Sequence, residues 1–294
     1  MRSHVRSVGA TGDRSERFTF ALNFPGALLT ATLILFPLGL VLFLSLRVND
    51  GALLNVDLTL SNLITALTDP LYQRVIARSL LIAGLVTLAT VVTAYPVAYT
   101  IAFHGGRYKT LLLFLVSLPF WTSYLLRVFA WKIVLAYNGV LNSALIETRL
   151  IKTPLLILLD TPAAVVVTLA HAYAAFAILP IYIALEGIQP SLFEAAADLG
   201  ARGRDTFLRV TLPLSMPGVL AAGLVVFVPT VGDYVTPALV GGPASTMIGS
   251  IIQAQFGKAN DWPFGAAVSV LTMVAILAVL LTVRVIDRTW GGRT

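Results

Sequence analysis

Six long stretches of the chain carry few or no charged side chains, and each is long enough to cross a lipid bilayer. A bilayer core of about 30 Å requires about 20 apolar residues in a helix, because backbone N–H and C=O groups find no water there. Hydropathy, proline and glycine place the predicted helices at 25–46, 79–103, 110–135, 161–185, 217–240 and 264–285. The sequence therefore predicts an all-α integral membrane protein with six transmembrane helices.

The small share of charged residues excludes a water-soluble enzyme. Only 12% of the 294 residues are Asp, Glu, Lys or Arg, against about 25% in an average soluble domain. The chain has no cysteine, which excludes disulfide scaffolds, thiolate metal sites and cysteine nucleophiles. We predict no metal site and no catalytic residue in this chain.

The formal net charge of +6 is explained by membrane orientation. Most Arg and Lys residues outside the predicted helices lie in the two tails and in the loops around Arg107 and Arg202. Basic loops favour the cytoplasmic side, so we predict a cell inner-membrane protein with cytoplasmic tails 1–24 and 286–294 around a transmembrane domain, 25–285. No polar face collects enough positive charge to predict a nucleic-acid partner. The first apolar run is longer than the about 7 to 15 residues of a signal peptide, which favours a retained helix.

The longest cytoplasmic loop, about 187–216, has the features of a folded unit. Pro190 marks a helix start, and Ser191 with Glu194 fits a capping box. The alanine-rich stretch that follows favours helix, and Gly200 can take the left-handed conformation that ends one. A second short helix is predicted from Gly203 to about Val210, until Pro213 interrupts it.

This loop resembles the EAA loop of ABC importer permeases. The matching run is Glu194, Ala195, Ala196, three residues, Gly200, nine residues, Val210, one residue, Leu212 and Pro213, with valine where the family pattern has isoleucine. The resemblance implies a type I ABC importer permease fold and a coupling helix that docks on an ATP-binding subunit. The candidate coupling residues are Glu194, Ala195, Ala196, Asp198, Gly200, Arg204, Leu212 and Pro213.

Two further interpretations accompany this loop. Its apolar side chains would form the docking face: Leu192, Phe193, Ala196 and Leu199. The alternative is that the loop is only a connection between two membrane helices. The chain has no GxxxxGK[ST] phosphate loop, so it should bind no cofactor itself, and ATP with Mg²⁺ would be used by a separate ATPase.

Ionisable side chains inside the predicted membrane helices suggest a second site. An acidic group such as Asp233 at the bilayer centre costs about 2.5 to 3.5 kcal/mol, so it requires a partner. One interpretation is an ion pair with Arg127 or Lys132; the other is a water-lined path where Asp233 contacts a cationic solute. For His171 we predict a single interhelical hydrogen bond.

Aromatic residues lie close in sequence to these charges, and aromatic faces with a carboxylate can hold an ammonium group. The candidate residues of the substrate path are Asp233, Tyr234, Trp121, Tyr124, Arg127 and Trp131. Four prolines predict breaks or bends in the membrane helices: Pro96, Pro119, Pro180 and Pro229.

The stretches 78–99, 118–142 and 232–269, the last beginning with GDYVTP, are similar to spermidine/putrescine-type permeases over nearly the whole chain beyond residue 25. That resemblance implies a second related permease subunit, an ATPase dimer, an extracytoplasmic substrate-binding protein, and a polyamine or other small cationic solute. Relatives with these motifs also carry other solutes.

Two alternatives from other classes stay open at this point. An ion-gradient-driven carrier or channel would need a relay of titratable groups, for which Asp233, Arg127, Lys132 and His171 are available. An integral-membrane enzyme would need clustered histidines or paired carboxylates, which the sequence lacks.

Overall fold

The computed structural model describes residues 10–49 and 57–291, which are mostly helical. Residues 1–9 and 292–294 of the two predicted tails lie outside the described residues, while helix extends into the remainder of both tails. The helices are α1 (Ala10–Ser45), α2 (Ser61–Thr68), α3 (Pro70–His104), α4 (Lys109–Ser117), α5 (Tyr124–Val134), α6 (Val140–Glu147), α7 (Pro162–Glu186), α8 (Pro190–Asp198), α9 (Gly203–Thr206), α10 (Leu212–Val231), α11 (Ile248–Gly257) and α12 (Trp262–Gly291).

Five helical stretches of the described chain are each long and apolar enough to cross a membrane: α1, α3, α7, residues 203–231 and α12. Local capping explains where two of them begin. The Asp69 side chain accepts a hydrogen bond of 2.7 Å from the Leu71 N–H at the start of α3. The Thr161 hydroxyl accepts one of 3.3 Å from the Ala164 N–H at the start of α7. In both helices a proline follows the N-cap residue directly, and proline suits the first helical position.

The third predicted span is broken just after Pro119, which confirms the break predicted for that proline, so the span is not one straight helix over 110–135. Its two halves, 106–121 and 124–134, are bent by 92° and count together as a sixth candidate span. Pro119 lies in a 3₁₀ turn just before the bend, and Thr122 is extended. Proline lacks an N–H and clashes with the preceding turn, which accounts for the break. The three other prolines lie inside continuous helices: Pro96, Pro180 and Pro229.

The fifth span lies earlier in the chain than predicted. The apolar helical stretch runs from 203 to 231, so α10 ends at Val231 instead of continuing to 240. Pro213 does not interrupt it, because a π-helical turn, Phe207–Thr211, precedes this proline. The wider π turn relieves the clash that a proline ring makes with the carbonyl four residues before it. A second π turn, Pro237–Gly241, follows the end of α10.

Helices α3, α7 and α10 pack together as the core, and their buried side chains include Ile82, Leu169 and Val226. Helices α7 and α10 cross at Gly218, where an added Cβ would lie 2.4 Å from the Ala184 Cβ and 2.6 Å from the Pro180 carbonyl oxygen. Only glycine allows α10 and α7 to approach this closely. Helix α12 packs beside this core with α1, α2 and α11.

Candidate functional site

The short helix α8 begins differently from the sequence prediction. Gln189 occupies the N-cap and Pro190 the first turn, and no side chain caps the free backbone N–H groups. The predicted capping box of Ser191 and Glu194 is therefore wrong. Because Pro190 already takes the first helical position, Ser191 lies inside the first turn, where it has no cap geometry.

The end of α8 confirms the left-handed conformation predicted for Gly200, whose φ is 75°. The Gly200 N–H donates to the Ala197 carbonyl at 2.9 Å, and the Ala201 N–H donates to the Ala196 carbonyl at 2.9 Å. This pair of bonds is the Schellman arrangement, which satisfies the last carbonyls of a helix. The chain then turns sharply into α9.

Most of this corner is exposed. Within α8 itself, Phe193 is half-buried and Ala196 buried, and the other residues are exposed. Of the predicted docking face, Leu192 and Leu199 point outward while Phe193 and Ala196 face the protein, and Leu199 is 88% exposed. The remaining coupling candidates are exposed except Leu212, which is half-buried: Glu194, Ala195, Asp198, Gly200, Arg204 and Pro213. We define the exposed residues from Leu192 to Arg204 as the α8 corner.

A cluster of polar side chains lies between the end of α10 and the start of α5, which follows the bend in the third span. Asp233 follows Gly232 at the end of α10 and is 8% exposed. Its Oδ2 accepts a hydrogen bond of 2.7 Å from the hydroxyl of Tyr124, the first residue of α5 after the 92° bend. Its Oδ1 accepts from the Val235 N–H at 3.0 Å. Asp233 therefore connects the end of α10 to the start of α5.

Two residues that the sequence analysis did not include complete this cluster. The Thr236 Oγ1 lies 2.6 Å from the Tyr124 hydroxyl, and its side chain is fully buried. The ring of Tyr173 on α7 lies 6.4 Å from that of Tyr124. Thr236 had a signal in the sequence, since a residue three positions after an aspartate that caps its own backbone shares its side. For Tyr173, the only signal in the sequence was a polar hydroxyl within an otherwise apolar helix.

Of the two interpretations of Asp233, the ion pair with Arg127 or Lys132 is absent from the part of the chain that the structure describes. Arg127 instead donates from Nη1 to the Ala172 carbonyl of α7 at 2.8 Å, and its Nε is buried without a hydrogen-bond partner. Lys132 is exposed and borders a small pocket with Asp160. Helix α5 begins after the bend that follows Pro119. Its first residue, Tyr124, hydrogen-bonds the Asp233 carboxylate, whereas Arg127 and Lys132 do not.

The other candidates of the substrate path are distributed around this cluster. The Trp131 Nε1–H donates to the His171 Nδ1 at 3.0 Å, which confirms the single interhelical hydrogen bond predicted for His171. Trp121 is 84% exposed and Tyr234 is also exposed, and neither ring has an aromatic partner among residues 57–285. The structure thus brings Tyr124 to Asp233, places Arg127 and Trp131 against α7, and leaves Trp121 and Tyr234 on the surface.

Comparison with known proteins identifies the class of this architecture. The family model described as "binding-protein-dependent transport system inner membrane component" matches residues 94–291. The spermidine/putrescine transport system permease protein PotB of Escherichia coli strain K12 is 40% identical over 235 residues, covering 80% of this chain and 84% of that protein. PotB of Haemophilus influenzae is 36% identical over 274 residues, covering 92% and 94%. The inner membrane ABC transporter permease protein YdcU of Escherichia coli is 37% identical over 241 residues, covering 78% and 76%.

Solved structures show the same fold. A chain of a bacterial ABC transporter that imports the acidic polysaccharide alginate superposes with a TM-score of 0.68 at 18% identity, covering 94% of this chain and 96% of that chain. A second structure of a bacterial alginate ABC transporter, in complex with an alginate-bound periplasmic protein, gives a TM-score of 0.70 at 18% identity, covering 95% and 96%. These matches confirm the helical permease fold that the sequence predicts.

The family match extends over about two thirds of the chain, and the relatives align over most of their own length. The several apolar helices agree with the inner-membrane location that the family description and the name of YdcU state. The chain therefore belongs to the family of inner-membrane permease components of binding-protein-dependent ABC importers.

Proposed function

We propose that this permease moves a polyamine of the spermidine/putrescine type, or another small cationic amine, into the cell, driven by an ATPase that docks on the α8 corner. The observation that carries the coupling part is the exposure of this corner, with Leu199 at 88%. Leu192, seven positions before Leu199 and so on the same side of the helix, is exposed as well, and an exposed apolar face bordered by charged residues is typical of a protein-interaction site. The identity of 36–40% to PotB supports the choice of cargo.

The proposed assembly has four kinds of component. A second related permease subunit pairs with this chain, an ATPase dimer uses ATP and Mg²⁺, and an extracytoplasmic binding protein delivers the solute. Both termini lie in the cytoplasm, as the distribution of basic residues favours. Family membership favours this ATP-driven mechanism over an ion gradient. The His171 Nδ1 accepts a hydrogen bond from Trp131, which does not titrate, so this contact gives no support to a proton relay.

The Asp233 cluster is the proposed contact for the cationic solute. The carboxylate is more than nine-tenths buried and has hydrogen bonds, but no ion pair with any described residue. A buried carboxylate without a counter-ion attracts an ammonium group. The rings of Tyr124 and Tyr173 beside it supply faces that favour a cation.

Uptake by the complete importer tests the function as a whole. This chain, co-expressed with its second permease, ATPase and binding protein, should retain the ATPase during purification and import labelled spermidine or putrescine in vesicles. Replacement of the phosphate-loop lysine in the ATPase should abolish uptake. Purification of the chain without any ATPase, or uptake that continues in the lysine variant, contradicts the proposal.

Two matched variants test Asp233 separately from the assembly. Asp233→Asn removes the negative charge and keeps an oxygen that can accept from Tyr124, whereas Tyr124→Phe removes this hydrogen bond and leaves the charge. If the charge contacts the solute, Asp233→Asn should reduce uptake of a divalent amine by about tenfold or more while Tyr124→Phe has a smaller effect. Equal losses in both variants would show that the carboxylate serves only to hold α5 against α10.

A further inference from the structure

Helix α8 is attached to the rest of the protein through few side chains. Among its residues, Phe193 and Ala196 alone are not exposed, and Phe193 is the only large one of the two. Its ring packs edge-to-face on Phe103, near the end of α3, with the ring centres 5.4 Å apart and the planes at 80°. Apart from the backbone, Phe193 is therefore the main connection between α8 and the core helix α3.

The contact continues through a series of rings along α3. The centres of Phe103 and Tyr99 are 4.8 Å apart, and the Tyr99 ring lies 6.0 Å from that of Phe207. Phe207 also packs edge-to-face on Tyr95 at 5.9 Å and 89°. The Tyr95 hydroxyl lies 2.8 Å from the Ser215 Oγ on α10, within hydrogen-bond distance. We call the five rings Phe193, Phe103, Tyr99, Phe207 and Tyr95 the aromatic connector.

The aromatic connector holds both sides of the α8 corner. Phe193 comes before Gly200, and Phe207 comes after it, at the first position of the π turn. Both rings contact the same face of α3. Edge-to-face ring pairs have a preferred geometry, which aliphatic contacts lack. The corner is thus joined to α3 by a directional ring contact on each side of Gly200.

We propose that the aromatic connector makes α8 and α3 move as one body during transport, so that Phe193 and Phe207 are positioning residues for energy coupling. This inference rests on the proposed docking of an ATPase on the α8 corner. Without the rings, α8 would remain joined to the core by the backbone at its two ends and by the small side chain of Ala196. With ATP bound, α8 would then move relative to α3, and α3 would not follow it.

Activity measurements on the complete importer test this role. In Phe193→Ala and Phe207→Ala, the ATPase should still co-purify and hydrolyse ATP without the binding protein, whereas uptake should fall by about tenfold, and stimulation by the loaded binding protein should be lost. Phe193→Tyr should retain both uptake and stimulation by the loaded binding protein, because it keeps the aromatic ring. The matched control is Phe114→Ala on α4, where the ring is 57% exposed and forms no ring pair among residues 57–285.

Distances measured by spin labels provide a readout that stability does not affect. Because the chain has no cysteine, Ser191→Cys on α8 and Val97→Cys on α3 can be labelled as a pair. The distance between the labels should be the same without nucleotide and with bound ATP in the parent, and should shift or broaden with ATP in Phe193→Ala.

The outcomes separate this inference from the proposed function. A parent complex without an ATPase overturns both. An assembled Phe193→Ala complex with normal uptake and normal stimulation overturns the connector alone, as does a parent label distance that changes with ATP. Loss of the ATPase from the Phe193→Ala complex also overturns it, because the ring would then serve docking instead of transmission.

Discussion

Gly200 shows how one backbone conformation shapes a surface. Its φ of 75° is strained for any residue with a side chain, although an added Cβ would have no atom within 4 Å. The obstacle to substitution is therefore the backbone itself and not the space around it. Gly203, three positions later, also has open space for a Cβ and has no left-handed φ, so the two glycines differ in conformation alone.

Gly200→Val should reshape the α8 corner and abolish uptake, while the external binding protein still captures solute. A β-branched residue in the left-handed region costs about 1–3 kcal/mol, enough to favour a different end for α8. Uptake in vesicles and solute binding by the isolated receptor are the measurements. Gly203→Val is the control and should transport at least several times better; equal activity of the two variants would remove the role assigned to the Gly200 corner.

The helices of the core meet at a distance that one glycine sets. At Gly218 the backbones of α10 and α7 are so close that an added methyl would overlap Ala184 and the Pro180 carbonyl. Small residues at such crossings are common in membrane proteins, because packing and not the hydrophobic effect associates helices in lipid. Gly84 on α3 offers the opposite case, with no atom within 4 Å of its added Cβ.

Gly218→Ala should destabilise the purified permease by about 1–3 kcal/mol, because the added methyl separates α10 from α7. Gly84→Ala should be neutral or stabilising by up to about 1 kcal/mol, since alanine favours helix. Thermal unfolding in detergent, followed by circular dichroism or a dye assay, measures both. A Gly218→Ala protein as stable as the parent would show that the crossing is looser than the structure indicates.

The whole molecule has two distinct ends. The α8 corner lies near the end of α3, where Phe103 contacts Phe193, and Lys109 pairs with Glu186 at the end of α7. The start of α3 lies at the opposite end, where Arg78 donates to the Ala244 carbonyl at 2.9 Å. The proposed orientation places the first end in the cytoplasm.

Single cysteines in this cysteine-free chain test that orientation. In intact spheroplasts, Lys258→Cys should react with a membrane-impermeant maleimide and Leu199→Cys should not; inside-out vesicles should give the reverse. Both side chains are exposed, so a difference in labelling reports the side of the membrane. Labelling of Leu199→Cys from outside would place the α8 corner away from any cytoplasmic ATPase.

Short contiguous stretches of the sequence determine much of this organisation. The apolar runs predict membrane helices because a bilayer requires an internally bonded backbone. Gly200 ends α8 because glycine takes the left-handed conformation without strain. The EAA-type loop and GDYVTP identify the family through contiguous residues. Pro119 lies just before the break that it predicts, and Ser191, predicted as part of a capping box, lies one residue inside the true start of α8.

Contacts between distant segments depended on packing. Tyr124 and Asp233 are 109 positions apart, and their hydrogen bond exists only because the third span bends by 92° and α10 stops at Val231. The hydropathy of these segments is the same with or without the bend, so composition does not distinguish Tyr124 from Arg127 or Lys132 as the partner of Asp233. The rotation and crossing of helices decide which side chains meet, and those are set by close contacts such as Gly218 with Ala184, made after the helices have formed.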